Sequence, residues 1–166
     1  NATRMMMPPT KSTAEFMAGA SEGIGLDVAM VYTKQSAGGE LVRVNKVLLP
    51  IMKERGVFNE TTLMDLSMKK GSVQHVDWLT DHEKAVFRTA FEIDMEAHLK
   101  LCSQRQQYID QGQSINLYFT SNDSHEYIMD IHRKALLDPN ILTLYYVYSM
   151  RGSGEIKREV GCEVCQ

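Results

Sequence analysis

The chain has 166 residues, 43% hydrophobic and 23% charged, with a formal net charge of −3. That is enough chain for an apolar core, and it lacks the run of roughly 20 apolar residues that a transmembrane helix needs. Met5-Met6-Met7 is too short for a secretory signal and ends in Pro8-Pro9. No basic block marks a nucleic-acid partner, and three cysteines make no disulfide framework, so a reducing cytoplasm is expected. Because the chain opens on Asn1 and moves straight into apolar residues, it reads as an internal segment of a longer protein.

In chain order, residues 3–7 read as a short buried strand closed by Pro8-Pro9. Ser12 and Glu15 have the spacing of a capping box opening a short helix that ends near Gly19. Residues 19–39 are loop-rich, with an extended stretch over 28–33. A helix over 47–55 stops at Gly56, and Pro50 must lie in its first turn or kink it. Asn59 caps a second helix ending at Gly71, and Thr80 with Glu83 caps a third that runs to about Phe91. Asp94 caps a longer helix, with Met95, Leu99, Cys102 and Ile109 on one face. Residues 115–119 form a short extended stretch. Residues 121–124 lead into a helix carrying Ile128, Ile131 and Leu136, stopped at Asp138-Pro139. Residues 141–149 are β-branched and aromatic and read as a buried strand. From Arg151 the composition turns to Gly, Ser and charge, the mark of a mobile tail. Two strands so far apart in sequence call for further strands from another segment.

Four features carry chemistry. Pro9, Thr10, Lys11, Ser12 and Thr13 follow a strand and enter a helix, where free N–H groups, hydroxyls and an amine suit a phosphate. Taken locally, a plain capped turn accounts for them equally well. Gly19, Gly23 and Gly25 resemble a dinucleotide-binding turn. That turn needs a preceding strand, the preceding residues are capped as helix, and none of the seven tyrosines has a lysine four residues on. Tyr145 and Tyr146 lie in the terminal strand, where aromatic residues usually pack. Because neighbours in a strand point to opposite faces, using the two together requires a departure from regular geometry. Cys162 and Cys165 have the spacing of a redox dithiol or half a zinc site, and a mobile tail favours the dithiol. Cys102 reads as core packing, and no metal site is expected from Asp77, Asp81 and Glu83.

Read together, five ordered segments resemble the catalytic, or large, subunit of class I ribonucleotide reductase. They are Asn1-Ala2-Thr3 with Met7-Pro8-Pro9-Thr10-Lys11-Ser12-Thr13-Ala14, Phe87-Arg88-Thr89-Ala90-Phe91-Glu92-Ile93, and Arg105 with residues 108–116 including Ile109-Asp110-Gln111. Thr143-Leu144-Tyr145-Tyr146 and the Cys162/Cys165 pair complete the set. The resemblance implies an α/β fold: residues 1–150 would be the C-terminal part of a ten-stranded α/β barrel, two strands plus mostly helices, and 151–166 a flexible tail. It implies radical-based reduction of ribonucleoside diphosphates. Pro9, Thr10, Lys11, Ser12 and Thr13 would hold the substrate phosphates, Tyr145 and Tyr146 would relay an oxidising equivalent, and Cys162 and Cys165 would re-reduce the active site.

The implied partners are the N-terminal portion of the large subunit, a radical-generating small subunit and thioredoxin or glutaredoxin, with no nucleic acid or membrane. No cofactor is expected in this chain, the metal-radical cofactor residing in the small subunit. Lys11 and Gly112 depart from the family pattern. The radical cysteine and the active-site disulfide are expected on a separate segment, so the chain alone would be incomplete. A class II, adenosylcobalamin-dependent fragment, a helical interaction domain with a metal-binding tail, and a gene remnant are the alternatives.

Overall fold

The computed structural model describes residues 3–10, 13, 14, 17, 23–36 and 39–150, with the backbone of Ile156–Glu159. The chain divides into two compact units. One comprises Thr13–Ala20 and Leu26–Glu92; the other comprises Asn1–Ser12, Ser21–Gly25 and Ile93–Gln166.

The first unit opens on a hairpin of β1 (Val31–Ser36) and β2 (Gly39–Val44), antiparallel from Val31↔Val44 to Ser36↔Gly39. Sequence reading reached only the start of β1. β2 went unread, although Leu41, Val42 and Val44 suit a strand, and its pairing with β1 defines it. α1 (Leu48–Glu54) is anchored by Asn45, whose Oδ1 accepts from the N–H of Val47 at 2.9 Å and of Leu48 at 3.2 Å. Pro50 lies in its first turn, where the missing N–H has no intrahelical partner to lose. Asn59 caps α2 (Glu60–Met68), its Oδ1 accepting from Thr62 N–H at 2.9 Å.

Thr80 and Glu83 complete both halves of the capping box that opens α3 (Asp81–Val86). This helix stops short of Phe91, and a 3-10 turn spans Ala90–Glu92. Glu92 ties that turn down, its carboxylate accepting from Thr89 N–H at 2.8 Å and from the Ser72 hydroxyl. Met30, Val31, Leu48, Met52, Leu66, Val73, Val76, Leu79 and Phe87 form the unit's core.

The second unit is built on α4 (Met95–Gln106), capped by Asp94 through Glu96 and Ala97 N–H. Met95, Leu99 and Cys102 are buried on one face, and Ile109 is buried just beyond the helix. β3 (Ile115–Thr120), α5 (His125–Leu137) and β4 (Leu144–Met150) then make a βαβ unit, with β3 parallel to β4. Ser124 caps α5 by accepting from Tyr127 N–H at 3.1 Å. Ile131 and Ala135 face inward, whereas Leu136 is 79% exposed and turned away from the core.

β5 (Ile156–Glu159), within the stretch read as tail, pairs antiparallel with β4, so the sheet order is β3-β4-β5. Residues 3–7 run beside 110–114. Met7 and Gln113 form a parallel bridge, Gln111 N–H donates to Met5 O at 3.2 Å, and Ser114 N–H donates to Met7 O at 3.0 Å. Asp110 Oδ2 accepts from the N–H groups of both Arg4 and Met5.

The opening stretch is therefore extended, but it is not the buried strand expected: Met5 and Met6 are each 54% exposed. One bridge holds it on one side, and no further ladder covers its side chains among the described residues. The two distant strand regions do meet alongside residues 110–120, of which 115–119 read in sequence as a short extended stretch. The result is part of an α/β barrel, not closed on itself.

Candidate functional site

The terminal strand breaks its own register where the two adjacent tyrosines lie. Ile115 pairs with Leu144, but Leu117 pairs with Val147, so two steps on β3 match three on β4. The extra residue makes a β-bulge at Tyr145-Tyr146, and a bulge re-aims side chains. Regular alternation would send these rings to opposite faces. Here their centroids are 4.0 Å apart with a 53° tilt.

Asn116 on β3 fills the gap that the bulge leaves in the ladder: its Oδ1 accepts from Tyr146 N–H at 3.2 Å. Its Nδ2 lies 3.5 Å from the Tyr118 hydroxyl. Beyond Tyr146 the aromatic series continues. Tyr146 meets Tyr148 edge-on at 6.1 Å, and Tyr148 stacks on Tyr118 at 5.1 Å with ring planes within 7°. Tyr145 is 46% exposed while Tyr118 is 5% exposed, so the rings lead from the surface into the sheet. Sequence reading found the first two. It missed Asn116, Tyr148 and Tyr118, whose importance depends on pairing across strands.

The Pro8 to Thr10 turn follows directly from the Met7–Gln113 bridge. Gly23 closes over it, donating its N–H to Thr10 Oγ1 at 3.1 Å. At φ +58°, a Cβ on Gly23 would come within 2.6 Å of Pro8 O, so only glycine allows that approach. Gly23 is thus placed by its contact with the Pro8–Thr10 stretch. Having accepted from Gly23, the Thr10 hydroxyl keeps its O–H for donation. Pro9 is exposed beside it. Thr13 opens a helical turn in the other unit, its carbonyl accepting from Met17 N–H at 2.9 Å. Lys11, Ser12, Cys162 and Cys165 lie outside the described residues.

A buried amide network stands behind the bridge. Gln113, 1% exposed, donates to Cys102 O at 2.8 Å and to Gln106 Oε1 at 3.0 Å, and accepts from Arg105 Nη1 at 3.0 Å. Gln106 donates in turn to the carbonyls of Ile109 and Gln111. Each amide is satisfied on both ends, which rigidifies such a network rather than weakening it. Thr143 donates to Gln113 O at 2.8 Å, tying the entry of β4 to the same residue. A Cβ on Gly112 would lie 3.1 Å from Thr143 Oγ1, so a larger residue there requires Thr143 to shift.

Cys102 is fully buried on α4, and burial pushes its thiol pKa up despite the nearby Arg105. A thiol kept protonated is a poor nucleophile, in keeping with a packing role. Burial likewise pushes His98 down, and the Arg105 charge adds to that, so its ring is held neutral. Among the described residues no three His, Cys, Asp or Glu side chains gather as a metal site, and no helix is long and apolar enough to cross a membrane.

Residues 1–147 match the model of the ribonucleotide reductase barrel domain. The chain belongs to the ribonucleotide reductase family. A ribonucleoside-diphosphate reductase large subunit of Invertebrate iridescent virus 3 is 37% identical over 126 residues, covering 74% of this chain and 20% of the relative. The corresponding large subunit of Danio rerio is 29% identical over 149 residues, covering 90% of this chain and 18% of the relative. Among solved structures, a class Id ribonucleotide reductase alpha subunit of Actinobacillus ureae superposes with a TM-score of 0.74 at 31% identity, over 86% of this chain and 25% of that one. The reductase chain described here therefore spans no more than about a quarter of these relatives, as the coverage shows. The barrel left open by its strands fits that share.

Proposed function

We propose that this chain is the C-terminal part of a ribonucleoside-diphosphate reductase large subunit, and that it supplies three parts of a radical reduction of ribonucleotides. Tyr145 and Tyr146 relay an oxidising equivalent from a radical-generating small subunit towards an active-site cysteine carried by the rest of the barrel. In the hop between the two rings one phenol loses an electron and a proton, and the phenoxyl that delivers the equivalent gains both. The observation that carries this reading is the bulge, which puts two adjacent rings 4.0 Å apart where a regular strand would separate them.

Pro9, Thr10, Lys11, Ser12 and Thr13 make the phosphate loop. The Gly23 contact that fixes the Thr10 hydroxyl supports that role for its first residues. Cys162 and Cys165 act as the tail dithiol. One thiolate attacks the oxidised active-site disulfide, the second displaces the mixed disulfide, and a thioredoxin- or glutaredoxin-like protein reduces the pair again. The metal-radical chemistry belongs to the small subunit, and a cytoplasmic setting suits the free thiols.

The test is reconstitution of this chain with the remaining segments of the large subunit and a small subunit, with deoxynucleoside diphosphate formation as the readout. Activity should require all components. Tyr145→Phe or Tyr146→Phe should each abolish turnover, since phenylalanine keeps the ring and loses the O–H. Full turnover by either variant, or dependence on adenosylcobalamin in place of the small subunit, would overturn the relay. Deoxynucleotide formation by the 166-residue chain alone would overturn the division of labour.

A further inference from the structure

The relay as proposed uses two rings, yet four lie in succession. We propose that Tyr148 and Tyr118 form a side branch of the relay, which takes an oxidising equivalent off Tyr146 and holds it inside the sheet. This rests on the reading of Tyr145 and Tyr146 given above.

The geometry has four parts. Tyr146 and Tyr148 are two residues apart on one strand, so they share a face, and their rings meet edge-on at 6.1 Å. Tyr148 and Tyr118 are direct cross-strand partners of the parallel β3–β4 pair, and their rings stack at 5.1 Å with planes within 7° of parallel. Tyr118 is 5% exposed, so an equivalent that reaches it is shielded from reductants in solution. Asn116 links the branch to the relay by bonding Tyr146 N–H while its amide N lies beside the Tyr118 hydroxyl.

The chemistry balances at each hop. The Tyr146 phenoxyl takes an electron from the Tyr148 ring, and the Tyr148 phenol proton passes to the Tyr146 oxygen, directly or over a water. One O–H bond breaks at Tyr148 and one forms at Tyr146. The same exchange between Tyr148 and Tyr118 moves the equivalent one ring further. It needs no oxidant beyond the one already on the relay. The exchanges are reversible, so the branch stores an equivalent while forward transfer is blocked and returns it afterwards.

The folded chain can be tested directly. A photogenerated one-electron oxidant, a ruthenium tris-bipyridine complex with persulfate, creates tyrosyl radicals, and freeze-quench electron paramagnetic resonance follows their decay. A long-lived component is expected, lost or shortened several-fold in Tyr118→Phe and in Tyr148→Phe. Both variants keep the stacked ring, and circular dichroism verifies their fold. Tyr108→Phe, at a ring 77% exposed on another segment, should leave that component unchanged.

A component that is absent from the parent chain, or equally long-lived in all variants, overturns the branch. In the reconstituted enzyme, Tyr148→Phe should retain initial turnover but inactivate after fewer cycles. Loss of turnover in Tyr146→Phe without any long-lived signal in the parent chain sinks the branch and leaves the relay standing. A persistent signal with full turnover in Tyr146→Phe keeps the branch as a redox chain and sinks the relay.

Discussion

The two units solve the problem of burial differently. In the Leu26–Glu92 unit the start of a short hairpin, two helices and the segment from Val73 to Leu79 pack on one core with Phe87, and Leu48, Met52, Leu66 and Val73 are fully buried. In the unit built on β3 and β4, the strands differ from each other. β3 buries Ile115, Leu117, Tyr118 and Phe119 on both its faces, as a strand of a covered parallel sheet does. Yet among the described residues it lies at the edge of its sheet, next to β4. A buried, apolar strand with an unsatisfied edge is normally covered or paired, and a closed barrel does both. The neighbouring β4 stays half-buried and carries the bulge. The first region encloses its own core; in the second, the described residues leave β3 with an open edge beside a bulged β4.

Substitutions should separate the regions by size of effect. Leu66→Ala, in the first unit's core, should cost about 2–5 kcal/mol in urea unfolding through lost burial and an unfilled cavity. Gln113→Ala should cost less, about 1–3 kcal/mol, because it strands the Arg105 guanidinium and the Cys102 carbonyl without their partner. A loss as large as that of Leu66→Ala would mean that the amide network, rather than the apolar core, dominates its unit. Thr80→Ala removes the cap of α3 and should cost about 0.5–2 kcal/mol in thermal unfolding.

Tyr145→Phe should leave stability within about 0.5 kcal/mol of the parent, since it removes only a hydroxyl from a half-exposed ring. A larger loss would turn the bulge into a packing device and weaken its functional reading. The difference between these two tyrosine readouts, none in stability and all in turnover, is the sharpest form of the contrast.

A pH titration probes the first unit in another way. Hydrogen bonds from Arg55, then from the backbone and hydroxyl of Thr80, hold the Glu83 carboxyl at about 2. Because that is below the ordinary value of about 4.3, its stabilising contribution is complete above that ordinary value. It fades as pH falls towards the folded value. Glu83→Gln should therefore flatten the acid limb of stability between roughly pH 4 and pH 2, followed by circular dichroism. An unchanged limb would show that Arg55 and Glu83 contribute little to stability, as exposed pairs often do.

Local chemistry made much of this protein legible in sequence. Asn59, Thr80, Asp94 and Ser124 cap their helices as read, since a cap depends only on the next three residues. Pro50, which had either to lie in a first turn or to kink its helix, lies in the first turn. The order of the five segments pointed to the family, and the comparisons bear that out. Three things had to wait for the tertiary structure. The pairing of β2 with β1 is set by cross-strand register. The two distant strand regions met only along residues 110–120. The adjacent tyrosines came together only because β3 and β4 fall out of step beside Asn116. Capping and helical periodicity act within a turn or two of the chain. Pairing register and ring contact join residues about 30 positions apart, as Asn116 and Tyr146 are, and sequence spacing carries no direct record of them.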